Sequence, residues 1–182
     1  MAKLVSTTYG DALFELALEE NKLNAMLEEV SGVKEILLEN EELTRVLLHP
    51  EVDKNEKIRL IENIFKGRCS DDMTGFLVLV TEKGRQKDLI PIFDYFIHKT
   101  KEYQGIGTAH VTSAIPLSDT QKEAVETRLL ALTRYERFEM DYQVDPALIG
   151  GLVIRIEDRV IDSSIRTQLF EMKKTLTKIQ LQ

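Results

Sequence analysis

The sequence contains few of the residues from which metal and redox sites are built. In 182 residues it has one cysteine, three histidines and no tryptophan. The single cysteine, Cys69, excludes an intramolecular disulfide, and the histidines are too scattered to form a spaced ligand motif. We therefore expect no disulfide, no metal ligands and a reducing compartment.

Long apolar runs are also missing. The longest wholly apolar run covers residues 76–80, whereas a membrane span needs roughly 18 such residues. The first residues run directly into an amphipathic pattern, without the apolar core of a signal peptide or the basic composition of a transit segment. We expect no membrane insertion, no export and no organelle import.

The charge balance is acidic, with 24 Lys and Arg against 31 Asp and Glu and a net charge of −7. An acidic surface is repelled by phosphate backbones and anionic lipids, so nucleic acid is not an expected partner. Acidic pairs such as Glu19 and Glu20 suggest acid/base chemistry at first sight. Adjacent helical residues diverge by about 100°, however, and a solvated helix face is the better interpretation.

Helical periodicity dominates the first 104 residues. Apolar residues recur at spacings of three and four, and the pattern predicts six helices separated by short connections. Pro50 ends the third helix, Ser70 and Gly84 bracket the fifth, and Pro91 is tolerated in the first turn of the sixth. Residues 76–80 could alternatively form a strand, but the bracketing signals favour a helix.

The pattern changes at Gly105-Ile106-Gly107, which we interpret as a linker between domains. Ser118 and Gln121 are spaced as a capping box and predict the start of a helix. Residues 138–144 then alternate with a period of two, residues 152–156 and 159–162 predict a hairpin, and residues 164–182 predict an amphipathic helix. The predicted fold is mainly α. An N-terminal six-helix bundle (1–104) precedes a smaller α/β C-terminal domain (105–182) with a short sheet and a terminal helix.

Motifs of catalysis are absent from the sequence. Neither GxxxxGK[ST] nor GxGxxG occurs, and Gly150-Gly151 is better explained by a turn or a close backbone approach than by a ligand. The closely spaced charged residues Arg155, Asp158 and Arg159 leave open the possibility of a small acid/base enzyme. Cross-strand pairs of charges on a solvated face are the favoured interpretation. No catalytic or cofactor-binding residue is predicted. Helices one and five carry more apolar surface than a small bundle easily buries, so we expect part of it to be ordinary core and part to receive a partner helix.

Four stretches, in order along the whole chain, carry a resemblance to a known family. They are Tyr9-Gly10-Asp11-Ala12-Leu13-Phe14, His49-Pro50, residues 113–118 (SAIPLS) and residues 144–166 (VDPALIGGLVIRIEDRVIDSSIR). The sequence resembles the δ subunit of bacterial F-type ATP synthases, which is related to the mitochondrial oligomycin-sensitivity-conferring protein. Gly10 departs from the alanine usual in that family, at a cost to the helix of up to about 1 kcal/mol.

The resemblance implies a non-catalytic stator subunit in the peripheral stalk. It would be a monomer within a hetero-oligomeric complex, bound peripherally at the cytoplasmic face of the bacterial cell membrane, bracing the catalytic head so that proton or sodium flow drives ATP synthesis. The alternative is a free-standing helical adaptor or regulator unrelated to the synthase.

The resemblance also implies two partners. The N-terminal segment of an α subunit would bind a groove between helices one and five, for which the matching positions are Tyr9, Leu13, Leu16, Phe76, Leu77 and Val80. The b subunit would bind the second domain through the C-terminal end of its coiled coil. For that contact the candidate residues are Ile165, Leu169, Met172 and Leu176, which could equally be core.

Overall fold

The computed structural model describes residues 2–157 and 159–179, with side chains described for residues 4–157 and 159–174. The chain divides into two compact units, Met1–Lys101 and Glu102–Gln182. Each unit has its own buried apolar cluster. The two units are therefore described separately.

The first unit is built from helices. Before the first strand, the described residues form α1 (Ala2–Glu19), α2 (Leu23–Glu39), α3 (Glu41–Leu48), α4 (Lys54–Phe65), α5 (Asp71–Glu82) and α6 (Leu89–Tyr103). A short 3-10 turn, Gln86–Asp88, leads into α6. The prediction that residues 76–80 are helical is confirmed.

Local signals explain where α5 begins and ends. Ser70 Oγ accepts a hydrogen bond from the Met73 N–H at 3.2 Å, so Ser70 is the N-cap of the helix. At the other end Gly84 has φ +67°, and the Arg85 N–H donates to the Val80 carbonyl at 2.9 Å. This geometry closes the last turn, and glycine adopts it without steric cost.

The core of the first unit draws side chains from all six of these helices. Its largest fully buried members are aromatic and aliphatic, and they include Phe65, Phe93, Phe96, Leu13, Ile61, Met73, Leu77 and Ile92. Phe76 of α5 lies 6.5 Å from Phe93 of α6, measured between ring centroids. The apolar stripes of α1 and α5 are therefore mainly core.

The second unit combines a sheet with two helices. In chain order its elements are β1 (Ile106–Ser113), α7 (Asp119–Leu132), β2 (Arg137–Val144), β3 (Leu152–Ile156), β4 (Arg159–Asp162) and α8 (Ile165–Ile179). The strand order is β2-β1-β3-β4, with β1 and β2 parallel and the other pairs antiparallel. Parallel neighbours need a crossover connection, and α7 supplies it.

One face of this sheet packs on α7. Ala109, Val111, Phe138 and Ile154 lie on that face and are buried together with Leu129 of α7. Ser118 and Gln121 form the capping box that begins α7, as expected from their spacing. The prediction of a mainly helical chain with a small sheet in its C-terminal part is thus confirmed.

The interpretation of Gly105-Ile106-Gly107 as a linker is wrong. Ile106 and Gly107 are buried residues of β1, paired with Arg137 and Phe138 of β2. A Cβ atom on Gly107 would lie 2.4 Å from Phe138 Cε1. Glycine is needed here because an aromatic ring packs directly on the backbone, and sequence periodicity does not reveal that contact.

Candidate functional site

The residues predicted for the groove between α1 and α5 lie mostly in the core. The Tyr9 ring meets the Phe76 ring edge to face, with centroids 6.5 Å apart and an interplanar angle of 75°. Phe76 is buried, as are Leu13, Leu77 and Val80. Tyr9 and Leu16 are half-buried. These six residues therefore pack α1 against α5 and form part of the core of the first unit. Only Tyr9 and Leu16 among them have partly accessible side chains.

The outward surface of these helices carries other residues. Leu79 of α5 is 44% exposed, and the small residues Gly75 of α5 and Ala12 of α1 are also exposed. Leu79 was not among the predicted contacts. Its position could have been deduced, because positions 76, 77 and 80 share one side of a helix and position 79 falls outside that side.

Polar contacts hold α1 against α6. The Asp11 carboxylate accepts hydrogen bonds from Lys99 and, at 2.8 Å, from the Tyr95 hydroxyl. The hydrogen bond from Lys99, followed by the one from Tyr95, lowers the pKa of Asp11. A Cβ on Gly10 would lie 2.4 Å from Tyr95 Cδ1. The glycine that departs from the family pattern therefore makes room for the Tyr95 ring.

The candidate residues on α8 are placed differently, because their side chains are exposed. Ile165, Leu169 and Met172 are 42%, 52% and 62% exposed, and Phe170, which the sequence analysis did not select, is 63% exposed. Leu176 lies in α8, but its side chain is outside the described residues. The described residues of this stripe are therefore surface residues and not core, and Phe170 was not selected because it lies one position off the stripe.

The first turn of α8 is firmly attached to the rest of its unit. Asp162 accepts hydrogen bonds from the Ser164 N–H and the Thr167 hydroxyl, both at 2.8 Å. The backbone hydrogen bond from Ser164 is the main cause of the lowered pKa of Asp162. The Ile165 N–H donates to the Gly150 carbonyl at 3.0 Å. The helix is thus fixed at its beginning while its apolar residues face outward.

Close backbone approach accounts for both glycines before β3. A Cβ on Gly150 would lie 2.6 Å from Ile165 Cδ1, and one on Gly151 would lie 2.3 Å from the Ser163 carbonyl oxygen. Gly151 also has φ +75°. The predicted structural role of this pair is confirmed.

Among the described residues, the charged groups of the β3–β4 hairpin and the Cys69 thiol show no arrangement for catalysis. Arg155 of β3 is exposed and lies opposite Val160 of β4, and Asp158 is outside the described residues. Burial, with a smaller contribution from the charge of Glu29, raises the pKa of the Cys69 thiol. Within the described ranges no three His, Cys, Asp or Glu residues group as metal ligands, and no helix is long and apolar enough to cross a membrane.

Both units expose large apolar side chains on helices, such as Leu79 on α5 and Leu169 on α8. Large apolar groups at such positions mark protein-protein contacts. These exposed positions on α5 and α8 are therefore the candidate contact surfaces of the chain.

Comparison with known proteins identifies the family. The sequence matches the family described as ATP synthase delta (OSCP) subunit over residues 5–176. It is 53% identical over 181 residues to the ATP synthase subunit delta of Lachnoclostridium phytofermentans, covering 100% of both chains. It is also 36% identical over 174 residues to that of Enterococcus faecalis, covering 96% of each.

A solved structure shares the fold. A chain of the mitochondrial ATP synthase hexamer of Toxoplasma gondii superimposes with a TM-score of 0.72 at 17% identity, covering 94% of this chain and 97% of that one.

The chain belongs to the ATP synthase delta (OSCP) family. Proteins of this family are the peripheral-stalk component of F-type ATP synthase, and they are structural stator subunits without a catalytic role. The function predicted from the resemblance is confirmed at this level. The alternatives of an unrelated adaptor and of a small acid/base enzyme are wrong.

Proposed function

We propose that this subunit joins the catalytic head of a bacterial F-type ATP synthase to its membrane sector by holding one partner with each part of the chain. Residues 1–104 act as a six-helix bundle that binds the N-terminal segment of an α subunit. Residues 105–182 bind the coiled coil of the b subunit at its C-terminal end. The complex works at the cytoplasmic face of the membrane, where it resists the torque that accompanies proton or sodium flow.

The exposed stripe on α8 is the observation that carries this proposal. Ile165, Leu169, Met172 and Leu176 follow one another at spacings of four, three and four, which is the spacing of a coiled-coil seam. The three whose side chains are described are all exposed. Burying a large apolar side chain contributes about 1.5–3 kcal/mol. A second helix that covers this stripe therefore gains substantial stabilisation.

The contact with b is tested by titrating the full-length protein with a C-terminal fragment of the b subunit. Leu169→Glu places a charge in the seam, so we expect affinity to fall at least about tenfold, corresponding to about 1.4 kcal/mol. Phe170→Glu is the matched control, because it places the same charge at a 63% exposed apolar position that lies off the seam, about 100° beyond Leu169 around the helix. Equal affinity of both variants and the wild type would refute the assignment to α8.

The contact with α is supported by the outward surfaces of α1 and α5. Gly75 and Ala12 are exposed and small, so an incoming helix can approach the backbone closely. Leu79 offers an exposed apolar anchor on the same helix as Gly75. Tyr9 and Leu16 contribute partly exposed side chains, and the buried Leu13, Phe76, Leu77 and Val80 support the surface from beneath.

A peptide with the N-terminal sequence of the α subunit tests this surface by calorimetric titration. Leu79→Asp should abolish or strongly weaken binding while leaving the fold intact, because the residue it replaces is 44% exposed. Leu38→Asp makes the same change at a 57% exposed position of α2 and should bind as the wild type does. Loss of binding in both variants, or in neither, would contradict the assignment. Leu13 and Leu77 are unsuitable because a charge there would be buried in the core.

A further inference from the structure

A small polar cavity of about 270 Å³ lies in the first unit, beside the beginning of α4 and the end of α5. None of its lining residues belongs to the proposed contacts with α or b. They are Val52, Lys54, Lys57, Thr81, Glu82, Lys83, Gly84 and Gln86. Three lysines against one glutamate make this cavity positive in a chain whose net charge is −7.

Lys57 is the unusual member of this lining, because it is only 6% exposed. Its ammonium donates one hydrogen bond, to the His49 carbonyl at 2.6 Å. An ammonium has three donors, and lysine is rarely so deeply buried without a charged partner. Among the residues that the structure describes, Lys57 forms no ion pair. Its charge is therefore left without an anion.

Gln86, in contrast, lacks a hydrogen-bond donor. Its side-chain oxygen Oε1 is buried and accepts no hydrogen bond from any described residue. The nearby Thr81 hydroxyl does not supply one, since it donates to the Leu77 carbonyl at 2.9 Å. A buried acceptor without a donor is costly. The cavity thus calls for a ligand that brings negative charge for Lys57 and a hydrogen-bond donor for Gln86.

We propose that this cavity binds inorganic phosphate. At neutral pH phosphate is an anion that still carries a P–OH group, so its charged oxygens accept from Lys57 while its hydroxyl donates to Gln86 Oε1. Sulfate and carboxylates have the charge but are fully ionised and have no donor. Water has donors but does not neutralise the ammonium. Lys54 and Lys83, both exposed, add long-range attraction to the same anion.

Phosphate binding to the folded unit raises its free energy of unfolding by RT ln(1 + [phosphate]/Kd), so above Kd the gain grows with the logarithm of the phosphate concentration. Phosphate is also a substrate of ATP synthesis. The stability of this unit would then follow the supply of that substrate.

The test compares phosphate with sulfate at equal ionic strength, using the full-length protein. Isothermal titration and the thermal unfolding midpoint should show saturable phosphate binding, with sulfate at least about tenfold weaker because it cannot donate to Gln86. Gln86→Leu should reduce this preference to near unity, and Lys57→Met should abolish binding of both anions. Lys66→Met, at an exposed position just beyond α4, is the control and should bind as the wild type does.

Replacing a buried lysine can itself disturb the fold, so two exposed positions provide a second measurement. Lys54→Met and Lys83→Met should each weaken phosphate binding several-fold with an unchanged midpoint in phosphate-free buffer. Equal effects of phosphate and sulfate on the wild type would overturn the proposal. So would phosphate binding that persists in all three lysine variants, which would indicate a general salt effect.

Discussion

Replacing Gly107 by alanine distinguishes a packed strand from a flexible linker by the sign of the stability change. A Cβ at this position would lie 2.4 Å from Phe138 Cε1 and 2.7 Å from Tyr135 Cδ2. These two rings pack edge to face with centroids 5.3 Å apart, so neither can move without disturbing the other. Overpacking of this kind costs about 1–3 kcal/mol.

The opposite sign is expected for an unpacked linker. There, alanine would stabilise by about 0.4–1 kcal/mol, because it restricts the unfolded chain. In a unit of this size each kcal/mol shifts the unfolding midpoint by about 4–8 °C. We therefore expect Gly107→Ala to lower the midpoint of the second unit by several degrees.

The assay must report on the second unit alone, since a chain of two compact units need not unfold in a single two-state transition. Amide hydrogen exchange at Ala109 and Val111, in the middle of β1, gives that local free energy. Gly32→Ala is the control, because a Cβ there would meet nothing within 4 Å, and in α2 it should stabilise by up to about 1 kcal/mol. Unchanged or slower exchange at β1 in Gly107→Ala would refute the packing argument.

Three further substitutions test local contacts. Ser70→Ala removes the N-cap of α5 and a 2.6 Å hydrogen bond to Glu29, so the free energy of unfolding of the first unit should fall by about 1–2 kcal/mol in urea titrations, whereas Ser70→Thr should retain most of it. Burial and the hydrogen bond to Glu157 raise the pKa of Tyr135 to about 12. The wild type should therefore lose stability as pH rises from about 10 to 12. A Tyr135→Phe variant whose free energy of unfolding falls equally steeply over this pH range would contradict this. Asp162→Asn should increase amide exchange in the first turn of α8. Because the pKa of Asp162 is lowered, the stability that its carboxylate contributes should be present at neutral pH and disappear on acidification through the folded pKa. Equal protection of these amides in wild type and variant would argue against the cap.

Elements with strong local signals could be predicted from the sequence. Ser70 and Gly84 defined α5, and Ser118 with Gln121 defined the start of α7. The hairpin of β3 and β4 has the predicted bounds. In each case the deciding interaction joins residues close in sequence, so the pattern contains the information.

Long-range packing could not be predicted in the same way. The parallel pairing of β1 with β2 brings Gly107 beside Phe138, and periodicity in either strand does not specify its neighbour. The fit of Gly10 against Tyr95 joins helices far apart along the chain. The sequence pattern suggests a linker at Gly107 and a cost to the helix at Gly10. In the structure, both are sites where an aromatic ring approaches the backbone.

The same limit explains why the two sets of residues proposed as contacts differ in exposure. A periodic apolar stripe identifies one side of a helix, but it does not say whether that side is covered by the helix's own unit. On α5 the stripe containing Leu77 is covered, and the neighbouring Leu79 is exposed. On α8 the stripe containing Leu169 remains exposed. Substitutions at the buried Leu77 would therefore perturb folding, whereas those at the exposed Leu79 and Leu169 test the proposed contacts without disturbing the core.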